Sequence, residues 1–239
     1  LKDGAGKQSA ESLRDELGNK GINISFGADR DVFSGQMTAP KENMEKAAEL
    51  LQKVLSSPRF ETKYVENARA VALKALSAEK ENPGQELSLA FNRMIYDNHA
   101  YGRNPLGNQA SINKITRDDL QKFVKHNFNR DNLYVGIAGN LNKDEAETLI
   151  DKIFAALPEK GKYMELPRPE INWQQPILKI ERKSGQNIVA FAAEGTCRKC
   201  EDFYPLYIAN YLFGGSGLNS KLNQQIREKE GLTYGCLLY

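Results

Sequence analysis

Over most of the chain apolar residues recur every three or four positions, and each such stripe predicts an amphipathic helix. Ser9 caps the first helix, which runs to about Lys20 and stops at Gly21. The period then changes to two. Ile22, Ile24 and Phe26 alternate with small or polar residues, and so do Phe33, Gly35, Met37 and Ala39. With Asp29-Arg30-Asp31 between them, these runs predict an antiparallel hairpin. Helical spacing returns after Pro40 with Met44, Ala47, Ala48, Leu51, Val54 and Leu55, and Pro58 ends it. Tyr64, Val65, Ala68, Val71, Ala72 and Ala75 stripe a longer helix. Pro83 opens another through Leu87, Ala90, Phe91 and Met94. The stretch from His99 to Asn113 reads as a loop. Thr116 then caps a helix bearing Leu120, Phe123 and Val124. Leu133 to Ala138 reads as a strand and Leu141 to Leu157 as a helix. Leu51, Phe123 and Phe154 are expected in the core.

Four of the nine prolines, Pro158, Pro167, Pro169 and Pro176, cluster where no helix or central strand could continue. The expected division is therefore a first domain over 1–158, a Pro-rich linker over 159–176, and a second domain over 177–239. Past the linker, 177–180 and 187–193 read as strands and about 201–213 as a helix. Gly214-Gly215-Ser216-Gly217 breaks that helix. A further helix carries Leu218, Leu222 and Ile226, and a strand starts near Thr233. Strands followed by helices imply an α+β fold: two similar domains, each a largely antiparallel sheet with helices mostly on one face. The chain starts at Leu1 and stops inside the apolar run Cys236–Tyr239, so both domains read as incomplete.

Composition narrows the function. The 239 residues are 40% hydrophobic and 27% charged, which excludes intrinsic disorder. Thirty-three Lys and Arg against 31 Asp and Glu leave a net charge of +2, with no basic tract to favour nucleic acid. Apolar runs are too short for a membrane span. The three cysteines make no disulfide framework. Cys197 and Cys200 form a C-x-x-C pair that reads as a surface loop with two thiols, a redox pair being the alternative.

Candidate chemistry is sparse. The two histidines, His99 and His126, are 27 positions apart and form no two-histidine zinc motif. His99 reads as a loop residue bonded to backbone, and His126 as a helix-surface residue. No G-x-S-x-G or P-loop occurs. The glycines Gly214, Gly215 and Gly217 lie between two helices, so they make no Rossmann turn. They read either as a helix-ending turn or as a loop that lets a substrate approach the backbone. Arg227 and Tyr234 flank Gly231 in a helix–turn–strand arrangement that can bring a guanidinium and a phenol together. Such a pair can donate hydrogen bonds to a peptide carbonyl or a developing oxyanion. The plainer alternative is an Arg at a helix C-terminus beside a half-buried Tyr.

In order and spacing these segments resemble the pitrilysin/insulinase metallopeptidases, the inverzincin group that includes the mitochondrial processing peptidase. The resemblance runs through Leu1 to Gly6 and the hairpin over 21–39. It continues through Asn82-Pro83-Gly84, His99 to Gly102, Pro105-Leu106-Gly107, Ile115-Thr116 and Ala138 to Leu141. It ends with Gly214 to Lys221 and Arg227 to Tyr234. It implies half-shells of two α+β domains enclosing an extended peptide. In an active half, H-x-x-E-H and a more distant Glu hold zinc. In the other half an Arg and a Tyr seven residues apart grip the substrate backbone, and Arg227 and Tyr234 match them. The start of this chain resembles the region just after the H-x-x-E-H helix, which would lie upstream of residue 1. Ala75 falls where the distal Glu is expected, with Glu79 one turn later. The implied protein is a non-catalytic bacterial subunit without a zinc site, which offers Arg227 and Tyr234, with Gly214, Gly215 and Gly217, to a zinc-bearing partner and its peptide. A periplasmic or cell-envelope setting follows from the same resemblance. The alternatives are a zinc metalloendopeptidase in its own right and a non-enzymatic assembly subunit.

Overall fold

A computed structural model describes residues 1–239 except 163–164, 172 and 174–176. The expected linker over 159–176 thus lies partly outside the described residues. The chain divides into two compact units, Leu1–Ala190 and Phe191–Tyr239.

The first unit is built round one helix. Helix α1 (Ala10–Asn19) starts at Ser9, whose hydroxyl accepts from the Ser12 N–H at 3.2 Å. The strands β1 (Asn23–Ala28) and β2 (Phe33–Thr38) follow, antiparallel, from Asn23 opposite Thr38 to Ala28 opposite Phe33. Asp29 shapes the turn: its carboxylate accepts from the N–H groups of Asp31 and Val32 at 2.8 and 2.7 Å. Helix α2 (Met44–Ser56) comes next. Its positions 47, 50 and 54 face Ala5, Leu13, Ile22 and Ile24. Its positions 48 and 55 face Val124, Phe128, Leu149, Ile153 and Leu157. A helix sandwiched on two sides must be apolar on both, and the stripe of α2 is correspondingly wide.

Helices α3 (Thr62–Glu81) and α4 (Pro83–Tyr96) pair next, with the Asn82 side chain capping α4 ahead of a first-turn proline. Then come α5 (Gln109–Lys114), α6 (Arg117–Asn127) and α7 (Lys143–Phe154). Each of these three opens with a capping box, Asn108/Ser111, Thr116/Asp119 and Asn142/Glu145. Polar side chains tie α1 to α2: Lys46 bridges Glu16 at 2.9 Å and Glu49 at 3.2 Å. These bonds, with Gln8 on Glu16 and Lys53 on Glu49, hold both carboxyls below the usual glutamate range.

The fold is α+β, but several local expectations need correction. The segments 133–138, 177–180 and 187–193 are irregular and join no ladder, as is the chain from Thr233. A strand persists only beside a partner for its N–H and C=O groups. Among the described residues only β1 and β2 have one. Part of the stretch from His99 to Asn113 is helix, because Asn108 and Ser111 cap α5. Phe123 is 52% exposed and not in the core; Val124, one position on, points inward instead. Leu51 is partly buried and lines both clusters, Phe154 is partly buried and lines the second, and Val71 on α3 is exposed.

Candidate functional site

The second unit holds the Gly-rich turn and the Arg/Tyr segment. Helix α8 (Phe203–Asn210) runs into a π-helical turn, Tyr211–Gly215. The helix expected over 201–213 therefore changes pitch before it ends. Gly214 allows a close approach: a Cβ there would lie 2.4 Å from the Leu238 Cβ. Gly217 adopts a left-handed φ of +63°, which glycine takes at no steric cost. Gly215 sits against Asn210. These contacts give the three glycines a structural reason within the turn.

A short 3₁₀ turn, Gly217–Asn219, leads to Ser220, which is fully buried and caps the next helical segment. Asn223, also buried, is the hub. Its amide donates to the Gly217 carbonyl at 2.9 Å, the Ser220 hydroxyl at 3.1 Å and the Cys236 carbonyl at 2.6 Å. It thereby pins the glycine turn to the C-terminal segment. Sequence reasoning missed both residues; the signal was a Ser at a helix start with a polar residue three positions on.

From Asn223 the chain is wound as a π-helix to Lys229. Gly231, with φ of +66°, ends it and reverses the chain. The reversal brings Tyr234 back to the helix. The Arg227 guanidinium lies 5.3 Å from the centroid of the Tyr234 ring, a cation–π pairing. Arg227 is half-buried and Tyr234 is 90% exposed. Among the described residues neither polar head makes a hydrogen bond or ion pair. The pair thus offers a planar fork of donors and a phenol to solvent.

Of the residues considered for metal binding, His99 and Glu79 are engaged elsewhere. His99 donates from Nε2 to the Pro167 carbonyl at 2.9 Å and accepts the Tyr101 N–H at Nδ1, 3.2 Å away. His126 is exposed on α6. Ala75 has no donor atom, and Glu79 accepts from the Asn104 amide at 2.7 Å. Among the described residues no three His, Cys, Asp or Glu side chains come together. The donors among the described residues therefore do not assemble a zinc site. Among the described residues no helix is long and apolar enough to cross a membrane. Cys197 and Cys200 are joined by a disulfide, so the expected pair of free surface thiols is corrected.

Comparison with known proteins agrees with this architecture. Residues 2–109 match the insulinase (peptidase family M16) model, and residues 114–239 match the model described as the peptidase M16 inactive domain. The chain belongs to the M16, insulinase-like peptidase family. A protein of Rickettsia felis named an uncharacterized zinc protease is 27% identical over 234 residues, 98% of this chain and 55% of that protein. A Bacillus subtilis protein of the same description is 22% identical over 236 residues, 99% of this chain and 57% of that protein. The chain thus spans about half the length of these curated relatives. A solved M16 inactive-domain protein from Pseudomonas fluorescens superimposes with a TM-score of 0.81 at 22% identity, over 98% of this chain and 57% of that one. A protease from Helicobacter pylori gives 0.73 at 18% identity, over the same shares.

Proposed function

We propose that this chain belongs to a non-catalytic subunit of a heterodimeric zinc peptidase, and that Arg227 and Tyr234 reach a peptide bound at a zinc-bearing homologous partner. The carrying observation is the pairing of a half-buried guanidinium with an exposed phenol, both heads open to a ligand. Held at one end by its helix, Arg227 needs little ordering to present its fork to a carbonyl oxygen. Tyr234 adds a second donor, and two preorganised donors favour charge developing on that oxygen. The match to an inactive-domain model and the unsuited metal donors of this chain support the non-catalytic role. On this reading Gly214, Gly215 and Gly217 let the peptide backbone approach the turn. A bacterial periplasm or envelope is the proposed setting.

A second reading, a zinc metalloendopeptidase with H-x-x-E-H upstream of residue 1, is favoured by relatives named zinc proteases. One experiment separates them. The subunit is reconstituted with its H-x-x-E-H-bearing homologue and peptide cleavage is measured. Tyr234→Phe should assemble normally yet lower kcat on the order of a hundredfold. Arg227→Lys should also fail, because it keeps the charge but loses the planar fork. Wild-type cleavage by an assembled Tyr234→Phe pair refutes the role in trans. Cleavage by the subunit without its homologue favours the second reading.

A further inference from the structure

The loop before α8 carries a cysteine pair that the peptidase reading does not use. Cys197 and Cys200 are both exposed and bonded to each other. The turn they close is tight: the Cys200 N–H donates to the Cys197 carbonyl at 3.0 Å. It leads straight into α8. The Phe203 N–H bonds the Cys200 carbonyl at 3.2 Å, and the Arg198 guanidinium lies 5.7 Å from the Phe203 ring. The remaining cysteine, Cys236, is free and half-buried.

Three observations point the same way. First, both sulfurs lie on residues open to solvent, so an attacking thiol has access. Second, Arg198 and Lys199 place two cations between the cysteines, and positive charge beside a sulfur stabilises the thiolate that attacks and leaves in exchange. Third, a bridge across so short a loop restrains the unfolded chain little, so opening it costs the fold little. A metal site is a poor alternative, since no third donor joins the pair among the described residues.

We propose that Cys197 and Cys200 form a thiol–disulfide exchange site whose co-reactant is a dithiol. A thiolate of the dithiol attacks one sulfur of the Cys197–Cys200 bond. A mixed disulfide forms, and the other cysteine leaves as a thiolate and takes up a proton. The dithiol's second thiolate then attacks the mixed disulfide and releases the second cysteine. Two electrons and two protons pass to the chain, and the dithiol becomes a cyclic or linked disulfide. The oxidised form holds the turn that starts α8, and the reduced form frees it.

The test is differential alkylation of the native chain, read by mass spectrometry. Free thiols are blocked first, dithiothreitol is added in graded amounts without denaturant, and a second label follows. The expected result is the first label on Cys236 alone. The second label should then appear on Cys197 and Cys200 together, with circular dichroism unchanged, and oxidised dithiothreitol should restore the bond. Arg198→Ala/Lys199→Ala should keep the disulfide but slow its reduction several-fold. Cys200→Ser, given oxidised glutathione, should hold a glutathione adduct on Cys197, one glutathione leaving as the thiol. The proposal is overturned if the pair takes the first label and resists oxidation. It is equally overturned if reduction needs denaturant, if a cysteine of the pair bonds Cys236, or if the double alanine variant exchanges at the wild-type rate.

Discussion

Leu13, Leu50 and Val54 are sealed from solvent, whereas Phe123, of larger surface, is half open. The contrast gives a direct test at the residue scale. Leu50→Ala should cost about 2–5 kcal/mol in a denaturant titration. Phe123→Ala should cost clearly less, because an exposed ring buries little to lose. Equal losses would move Phe123 back to the core. Charge acts at the same scale. Glu16 is held low by Lys46 and then Gln8, and Glu49 by Lys53 and then Lys46. A depressed carboxyl contributes stability above its ordinary value, and that contribution is lost as pH falls through the folded value. Melting temperature should therefore drop on acidification below about pH 4.5. The drop should be shallower in Glu16→Gln. Lys46 is raised by the same partners, chiefly Glu16. Its contribution is present below the ordinary lysine value and fades only in strong alkali, outside that window.

Helices α1, α4, α5, α6 and α7 begin at a capping side chain. Three successive helices open with reciprocal caps, and one of them, at Thr116, was read from the sequence, whereas the pair Asn142 and Glu145 was not. The pair Asn108 with Ser111 was also missed, because Ser seldom fills the outer role, and α5 was read as loop. Asn142→Ala should cost about 0.5–2 kcal/mol, measured by thermal melting. Asn142→Asp should recover most of it. The carboxyl of Glu145 is held low by the Asn142 backbone N–H and then Lys41, so this cap should weaken in acid as well. The hairpin was legible for another reason. Its alternation is clean, and its turn is closed by the Asp29 side chain, a purely local bond.

At the scale of the whole molecule, metal content is the measurement that counts. The chain on its own should retain no stoichiometric zinc after dialysis, since Ala75 lacks a donor and both ring nitrogens of His99 are bonded to backbone. One zinc per chain, lost on replacing His99 or the cysteine pair, would contradict this. The sequence by itself determined most of the helices, the hairpin and the α+β class, and allowed Arg227 to meet Tyr234, because caps, turn glycines and apolar period act within a few residues. Only the tertiary structure decided which extended runs pair, since a ladder needs a neighbour that no local pattern specifies. It also decided which of Phe123 and Val124 faces inward, a difference of one helical step read only against α2 and α7. And it decided the hub at Asn223, whose bond to the Cys236 carbonyl joins residues thirteen apart through a reversal at Gly231. A buried amide is stable only when such partners converge, and convergence is a property of the packed chain.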